Sequence, residues 1–307
     1  MSGYVAVVGG VNIDIGGRPF HPLVPRDSNP GRVTVSLGGV GRNIAHNLSL
    51  LGAEVQLLTA FGDDVYAMQI EAGCAESNID IHRARKIPGA ASSVYLYLSD
   101  EKGDMALALS DMAICDRIDV PYLEENRDVL DGARLIVADA NLPEASLSYL
   151  AEMAKVPLFV DPVSTAKAHK LPSILHRIHT MKPNAAEAET LSGVKVTDEA
   201  SAFRAADILM EKGVRRVFLS LGKEGICAVD GGQRFRFHGY DAVVRSATGA
   251  GDAFMAALSY AYLKGMDLKE TVLFSAAAAT LCVECTETVN ASLTEEAVRE
   301  RMKKGMR

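Results

Sequence analysis

The chain has 307 residues, of which 48% are hydrophobic and 23% charged, and its formal net charge is -7. Those proportions describe a globular protein with a sizeable core and exclude a disordered or fibrous one. An acidic chain without a basic stripe is not expected to have nucleic acid as a partner.

The opening residues, MSGYVAVVGG, lack the basic flank and apolar length of a signal peptide. The longest weakly polar stretch, 272–283, falls short of the ~18 apolar residues of a membrane helix, so a cytoplasmic protein without membrane contact is expected. Five cysteines, an odd number, point to reduced thiols. Cys282 and Cys285 form a lone CxxC in an alanine-rich helical pattern, where core packing is the simpler role, and His176 with His179 are read as a surface pair.

In chain order, short runs rich in Val, Ile and Leu predict strands at 4–9, 55–61, 134–139, 157–161, 178–182 and 216–222. Segments of helical period predict helices at 41–51, 64–76, 143–154, 185–192, 199–212, 250–264 and 268–285. The alternation is that of βαβ units and predicts an α/β fold, a doubly wound, mostly parallel sheet flanked by helices, as one domain over 1–307. Two stretches break the rhythm. Residues 19–37 carry four prolines and end in a strand pattern, and 92–110 alternate as a hairpin around DEKGD. Segments at about 17–37 and 90–111 would meet as a small inserted β-sheet, placed as a lid. Its edges and apolar face would offer a second subunit a surface for a homodimer.

Polar residues fall where the predicted strands end: Asn12 and Asp14, Asp139, Asp161, Asn184 with Glu187, and Gly222. Open parallel sheets bind ligands beyond those ends, so the positions converge on one edge.

At 248–252 the chain reads TGAGD. Gly249 and Gly251 permit close backbone approach, and the amides of Gly249, Ala250 and Gly251 would be unpaired donors at a helix start, where anions bind. Asp252 beside such an anion is suited to take a proton from an attacking hydroxyl, and the pair describes phosphoryl transfer. A plain first-turn acid with glycines for turning is the alternative. No GxxxxGK[ST], HRD or DFG pattern occurs, and SLGGVGRN at 36–43 lacks the GxGxxG spacing of a dinucleotide site. Asn12, Asp14 and Asn43 would suit a vicinal sugar diol, or serve as turn and cap residues. Asn184 and Glu187, three apart at a helix start, would cap that helix or hold water ligands of Mg²⁺.

GGVGRN at 38–43, KPNAAE at 182–187 and TGAGDAF at 248–254, in that order, resemble the signatures of the ribokinase (PfkB) family of carbohydrate and nucleoside kinases, and the resemblance spans essentially the whole chain. It implies an ATP-dependent phosphotransferase acting on the alcohol group of a small sugar or nucleoside, with a doubly wound α/β domain and a discontinuous β lid. The base would be Asp252 and the anion hole Gly249, Ala250 and Gly251. Mg²⁺ would be held at Asn184 and, through water, at Glu187. Sugar contacts would come from Asn12, Asp14, Gly38, Gly39 and Asn43, and nucleotide contacts from Ser220, Gly222, Gly225 and Thr248. Within the family, DSNPG at 27–31, the stretch 38–52 and DPVSTAKA at 161–168 are most similar to members that phosphorylate the 5′-hydroxyl of a C-linked nucleoside, pseudouridine. That likeness implies that Ser28 and Asn29 read the uracil edge and that Lys167 meets a phosphate. Ribose, a ketose, inosine or cytidine would be other acceptors of the same fold, and a sensor that keeps the pocket without turnover is the reading outside enzymes. Ser246 stands where cation-activated members carry an acid, so activation by a monovalent cation is not carried over.

Overall fold

A computed structural model describes residues 3–101 and 103–305; Met1, Ser2, Lys102, Met306 and Arg307 lie outside the described residues, Lys102 within the turn expected at 100–104. The strands are β1 (Val5–Val8), β2 (Asn12–Pro19), β3 (Gly31–Gly38), β4 (Val55–Leu58), β5 (Ala60–Gly62), β6 (Arg85–Ile87), β7 (Ser93–Ser99), β8 (Met105–Asp111), β9 (Leu135–Asp139), β10 (Leu158–Asp161), β11 (Thr180–Met181), β12 (Arg216–Ser220), β13 (Ile226–Asp230) and β14 (Gln233–Phe237). The helices are α1 (Val40–Leu50), α2 (Ala67–Glu76), α3 (Val120–Glu125), α4 (Arg127–Gly132), α5 (Glu144–Met153), α6 (Thr165–Ala168), α7 (Ala185–Ser192), α8 (Glu199–Glu211), α9 (Ala250–Lys264), α10 (Leu268–Val283) and α11 (Glu295–Lys303).

Eight strands form the main sheet in the order β14-β13-β12-β11-β10-β9-β1-β4. From β4 to β12 every neighbour is parallel, and the last two are antiparallel. β1 shows why the sequence folds this way: VAVV is buried along its whole length, as a strand covered on both faces must be. Because side chains alternate, Val5 and Val7 join one apolar layer with α1, α9 and α10, while Ala6 and Val8 join a second with α5 and α8.

A second sheet, β3-β2-β7-β8, is assembled from both interrupting stretches. Its first strand begins at Asn12, so Asn12 and Asp14 lie in a strand and not in a loop after β1. The register Asn12↔Gly38 and Asn12↔Ser93 puts the root of all three strands at the main sheet's edge, and Ile13 and Leu37 tuck into the core there.

Two differences from the predicted elements have clear causes. The run at 55–61 splits, because β5 leaves the main sheet to pair with β6. The β13–β14 hairpin turns at Gly231 and Gly232, with φ of 53° and 89°, the two-glycine turn that suits the twist of a hairpin. Among the described residues no helix is long and apolar enough to cross a membrane.

Candidate active site

α9 begins where the chain needs a residue without a side chain. Gly249, its N-cap, has φ of 82°, and a Cβ there would collide with the Thr288 carbonyl. Asp252 follows in the first turn, so a carboxylate and free backbone donors share one helix end, where the dipole favours negative charge. The five cysteines are unpaired; Cys282, buried in α10, has its Sγ 3.4 Å from the Thr288 oxygen and 3.8 Å from that of Thr248. The CxxC thus underlies the loop, and the described residues contain no cluster of three or more acidic, His or Cys side chains suited to a metal ion.

Asp252 Oδ2 accepts a hydrogen bond of 2.7 Å from Asn43 Nδ2, which joins the starts of α1 and α9. Burial raises its pKa and the nearby Asp161 raises it further, against the Asn43 bond and the Lys182 charge, so the carboxyl is pushed up to about 7. Lys182, at the end of β11, is buried and sits 3.5 Å from Asp161 Oδ2. Desolvation alone would lower its pKa; Asp161, Glu187 and Asp252 more than offset that and hold the ammonium above the ordinary lysine range. Asp139, also buried, accepts from the amides of Gly10 and Asn141 and fixes the turn after β1.

On the other side, Asn12 Nδ2 donates to Asp14 Oδ1 at 2.6 Å. Gly38 leaves room for the Asp14 carboxylate, and Gly39, with φ of 100°, packs on the Gly10 carbonyl where a Cβ would clash. Burial raises the Asp14 pKa, against the Asn12 bond and the Arg42 charge. Arg42 is buried and donates to the carbonyls of Leu37 and Gly38, pinning the end of β3 to α1. Asn43 Oδ1 is buried and has no hydrogen-bond partner among the described residues. Buried polar atoms are nearly always paired, so this acceptor, on the residue that bonds Asp252, has capacity for a further donor such as a water or a bound hydroxyl.

A cavity of about 370 Å³ opens beside the start of α9. Its polar end carries Lys182, Ser220, Gly222, Gly225, Ala250 and Gly251, and its apolar walls are Ile226, Tyr240, Val244, Phe254, Ala276 and Val283. The cavity thus combines a cation and a hydroxyl with a mostly apolar surface. Gly225 packs against the Phe237 carbonyl, which leaves no space for a side chain. Thr248 is exposed just before the helix, its amide bonded to Ser246 Oγ. A second, more polar cleft, lined by Asn184, shares Ser220 and Gly222 with this one.

Asn184 and Glu187 form a capping box on α7: Asn184 Oδ1 accepts from the Glu187 amide and Glu187 Oε2 from the Asn184 amide, both at 2.9 Å. One carboxylate oxygen of Glu187 is therefore outside the cap, and burial raises the group's pKa, a strain that a nearby cation would relieve. An amide oxygen and a single carboxylate fit Mg²⁺ carried in on phosphates with its waters, not a protein cage.

The structure thus brings together Asn12, Asp14, Gly38, Gly39, Asn43 and Asp252 on one side and Asn184, Ser220, Gly222, Gly225, Gly249, Ala250 and Gly251 on the other. It does not bring Ser28 and Asn29 to them. They lie beyond the far end of the β2–β3 pair, Ser28 exposed and Asn29 half-buried, where Asn29 bonds Val24 and Asp27 within its own loop. The eight residues of β2 separate that end from Asn12 by roughly 23 Å at the ~3.3 Å rise of a strand. Lys167 is held by Asn141 Oδ1 near Asp139, away from the cavity walls. Lys182 and Arg42 had no role in the sequence-based expectations. The signal for Lys182 was a lysine closing an apolar strand directly before PNAAE.

The chain has relatives among known kinases. The family model described as "pfkB family carbohydrate kinase" matches residues 2–295. A pseudouridine kinase from Escherichia coli K12 is 37% identical over 297 residues, covering 95% of this chain and 94% of its own. A carbohydrate kinase structure from Agrobacterium tumefaciens superposes with a TM-score of 0.85 at 27% identity, covering 98% and 97% of the two chains. The Arabidopsis thaliana ribokinase complexed with ribose and ATP has the same fold, with a TM-score of 0.88 at 20% identity over 99% and 100%. The chain belongs to the PfkB family of carbohydrate kinases.

Proposed function

We propose that the protein transfers the γ-phosphoryl group of ATP to the 5′-hydroxyl of pseudouridine, giving pseudouridine 5′-phosphate and ADP. The observation that carries the chemistry is Asp252, tuned to a pKa of about 7 in the first turn of α9 and tied to Asn43. A general base works best when its pKa lies near the working pH. The choice of nucleoside is supported by the 37% identity to an enzyme named pseudouridine kinase, which extends across nearly the whole chain.

In this mechanism Asn12 and Asp14 hold the sugar hydroxyls, and the orphan oxygen of Asn43 takes one of their protons in a hydrogen bond. Asp252 accepts the 5′ proton as the oxygen forms its bond to phosphorus, while the bond from phosphorus to the ADP oxygen breaks. The amides of Gly249, Ala250 and Gly251 stabilise charge on the moving group, a preorganised arrangement that reacts without reorganising. Ser220, Gly222 and Gly225 line the path of the nucleotide, with Thr248 just before the helix start, and the nucleotide base would lie between the apolar walls. Mg²⁺ held on the phosphates by Asn184 and, through water, Glu187 would neutralise charge there. The β3-β2-β7-β8 sheet closes over the nucleoside as a lid and limits wasteful hydrolysis of ATP.

The lid also supports a homodimer. Its register puts Val33, Val35, Leu98, Leu107 and Leu109 on one face, opposite the face of Asp14, and all five are exposed. A contiguous apolar face on a β-sheet is suited to its own copy. Sedimentation should show a dimer that Leu107→Lys with Leu109→Lys converts to monomer; a wild-type monomer would remove this part.

The kinase reading is tested by measuring ADP release from Mg·ATP with pseudouridine, uridine, cytidine, inosine, ribose and fructose, with the product identified by mass. Selective turnover of pseudouridine is the expected result. Preference for another acceptor would overturn the nucleoside assignment and keep the chemistry, and no turnover by folded protein would overturn both.

A further inference from the structure

Lys182 is a buried cation that neither the anion loop nor the Asp252 base accounts for. It closes β11, between the core strand and the Asn184 cap of α7, so its backbone is fixed on both sides. Its side chain is 7% exposed and that of its partner Asp161 6%. Their separation of 3.5 Å exceeds the ~2.7–2.9 Å of a tight charge-assisted hydrogen bond. An ammonium has three donors, and this pairing leaves it able to offer one elsewhere.

The direction in which it is open is set by its surroundings. Lys182 lines the cavity beside α9, and a Cβ placed on Gly251 would be 3.2 Å from its Nζ. The ammonium therefore lies close to Gly251, the last residue of the anion loop. The charges of Glu187 and Asp252 act on it in addition to that of Asp161. It lines that cavity together with Ser220, Ala250 and Gly251.

We propose that Lys182 is a further catalytic residue, its ammonium forming the cationic side of the anion hole in contact with the phosphoryl group in transfer. It stays protonated throughout, because the proton of the acceptor hydroxyl goes to Asp252. Asp161 is the positioning residue that holds the ammonium between turnovers. The assignment rests on the phosphotransfer reading of the site and adds a contact specific to the third phosphate.

The test separates the two. Lys182→Met alone would leave Asp161 buried without its partner, so it is made also as Asp161→Asn with Lys182→Met, and Lys182→Arg is the conservative variant. Calorimetric titration with Mg·ADP and with the non-hydrolysable Mg·AMP-PNP reads the contact without turnover. The folded double variant should hold Mg·ADP within about threefold of wild type and lose about tenfold or more for Mg·AMP-PNP, while turnover falls by about 10²–10³, the range for removing one such donor. Lys182→Arg should recover part of both. Equal weakening of the two nucleotides, or turnover within threefold of wild type, would make Lys182 a structural residue and overturn the proposal. A wild-type protein that binds both nucleotides and phosphorylates no acceptor would overturn the function proposed above and leave the binding comparison still decisive for Lys182.

Discussion

The two halves of the site are built differently. The phosphate half stands on long core elements: α9 runs 15 residues, packs along α10, and starts at a glycine wedged on Thr288. The sugar half stands on β2 and β3; the outer part of β3 is exposed, and the pair meets the core near its root, through Ile13, Ile15 and Leu37. Chemistry common to many acceptors can be fixed in a rigid frame, whereas recognition of one acceptor can be carried by a thin sheet that moves over it.

The contrast is sharpened first at Asp252. Asp252→Asn should lower turnover by about 10²–10⁴ with nucleoside affinity within about threefold, because base catalysis is worth that much and the Asn43 bond survives. The same variant should be more stable at pH 8. A carboxyl raised from 3.8 to about 7 keeps, when folded, a proton that the unfolded chain has released, so stability falls as pH rises through that window. Removing the charge should return on the order of 2 kcal/mol in chemical denaturation at pH 8. A variant no more stable than wild type would contradict the tuning assigned to Asp252.

Asp14→Ala addresses the other half and should raise the nucleoside KM by about 10- to 100-fold, with the ATP KM within about threefold, as loss of a charged hydrogen bond to substrate alone requires. If both KM values moved together, the halves would be coupled and not separate.

The pH profile gives a smaller, graded effect: kcat/KM for the nucleoside should fall about tenfold per unit below pH 7 as Asp252 takes up its proton, and the limb should vanish in Asp252→Asn. The smallest effect is expected at the hairpin tip. Ser28→Ala should change the nucleoside KM by less than about threefold where the tip stays at the far end of β2. A larger change would mean that the tip travels to a nucleoside, and would make the thin half more mobile than its roots imply.

What could be seen in the sequence follows the same division. TGAGD lies in one stretch, so its glycines and acid announced the helix start and its anion site together, and KPNAAE announced the cap of α7. The sugar half is made of residues that meet only after folding: Asn12 reaches Gly38 and Ser93 through strand pairing. Its polar residues were visible while their strand was not, since NIDIGGRP alternates weakly and carries two glycines. Ser28 and Asn29 stand out as letters, but only the register shows how far along the hairpin they lie. Lys182 was hidden for another reason. A lysine at the end of a strand ordinarily reaches for water, and nothing local reveals that three carboxylates surround this one. The β13–β14 hairpin was legible, as two glycines between alternating runs, but no strand was predicted after 222.

The Thr288 carbonyl under Gly249, with the Cys282 thiol beneath it, means that the anion loop has a foundation laid more than thirty residues downstream. Substitutions at 282–288 would tilt the floor while every letter of TGAGD stayed in place. A relative identified by that pentapeptide alone could therefore be a kinase in spelling and inert in fact, and the foundation is the better place to look when choosing which homologues to trust as enzymes.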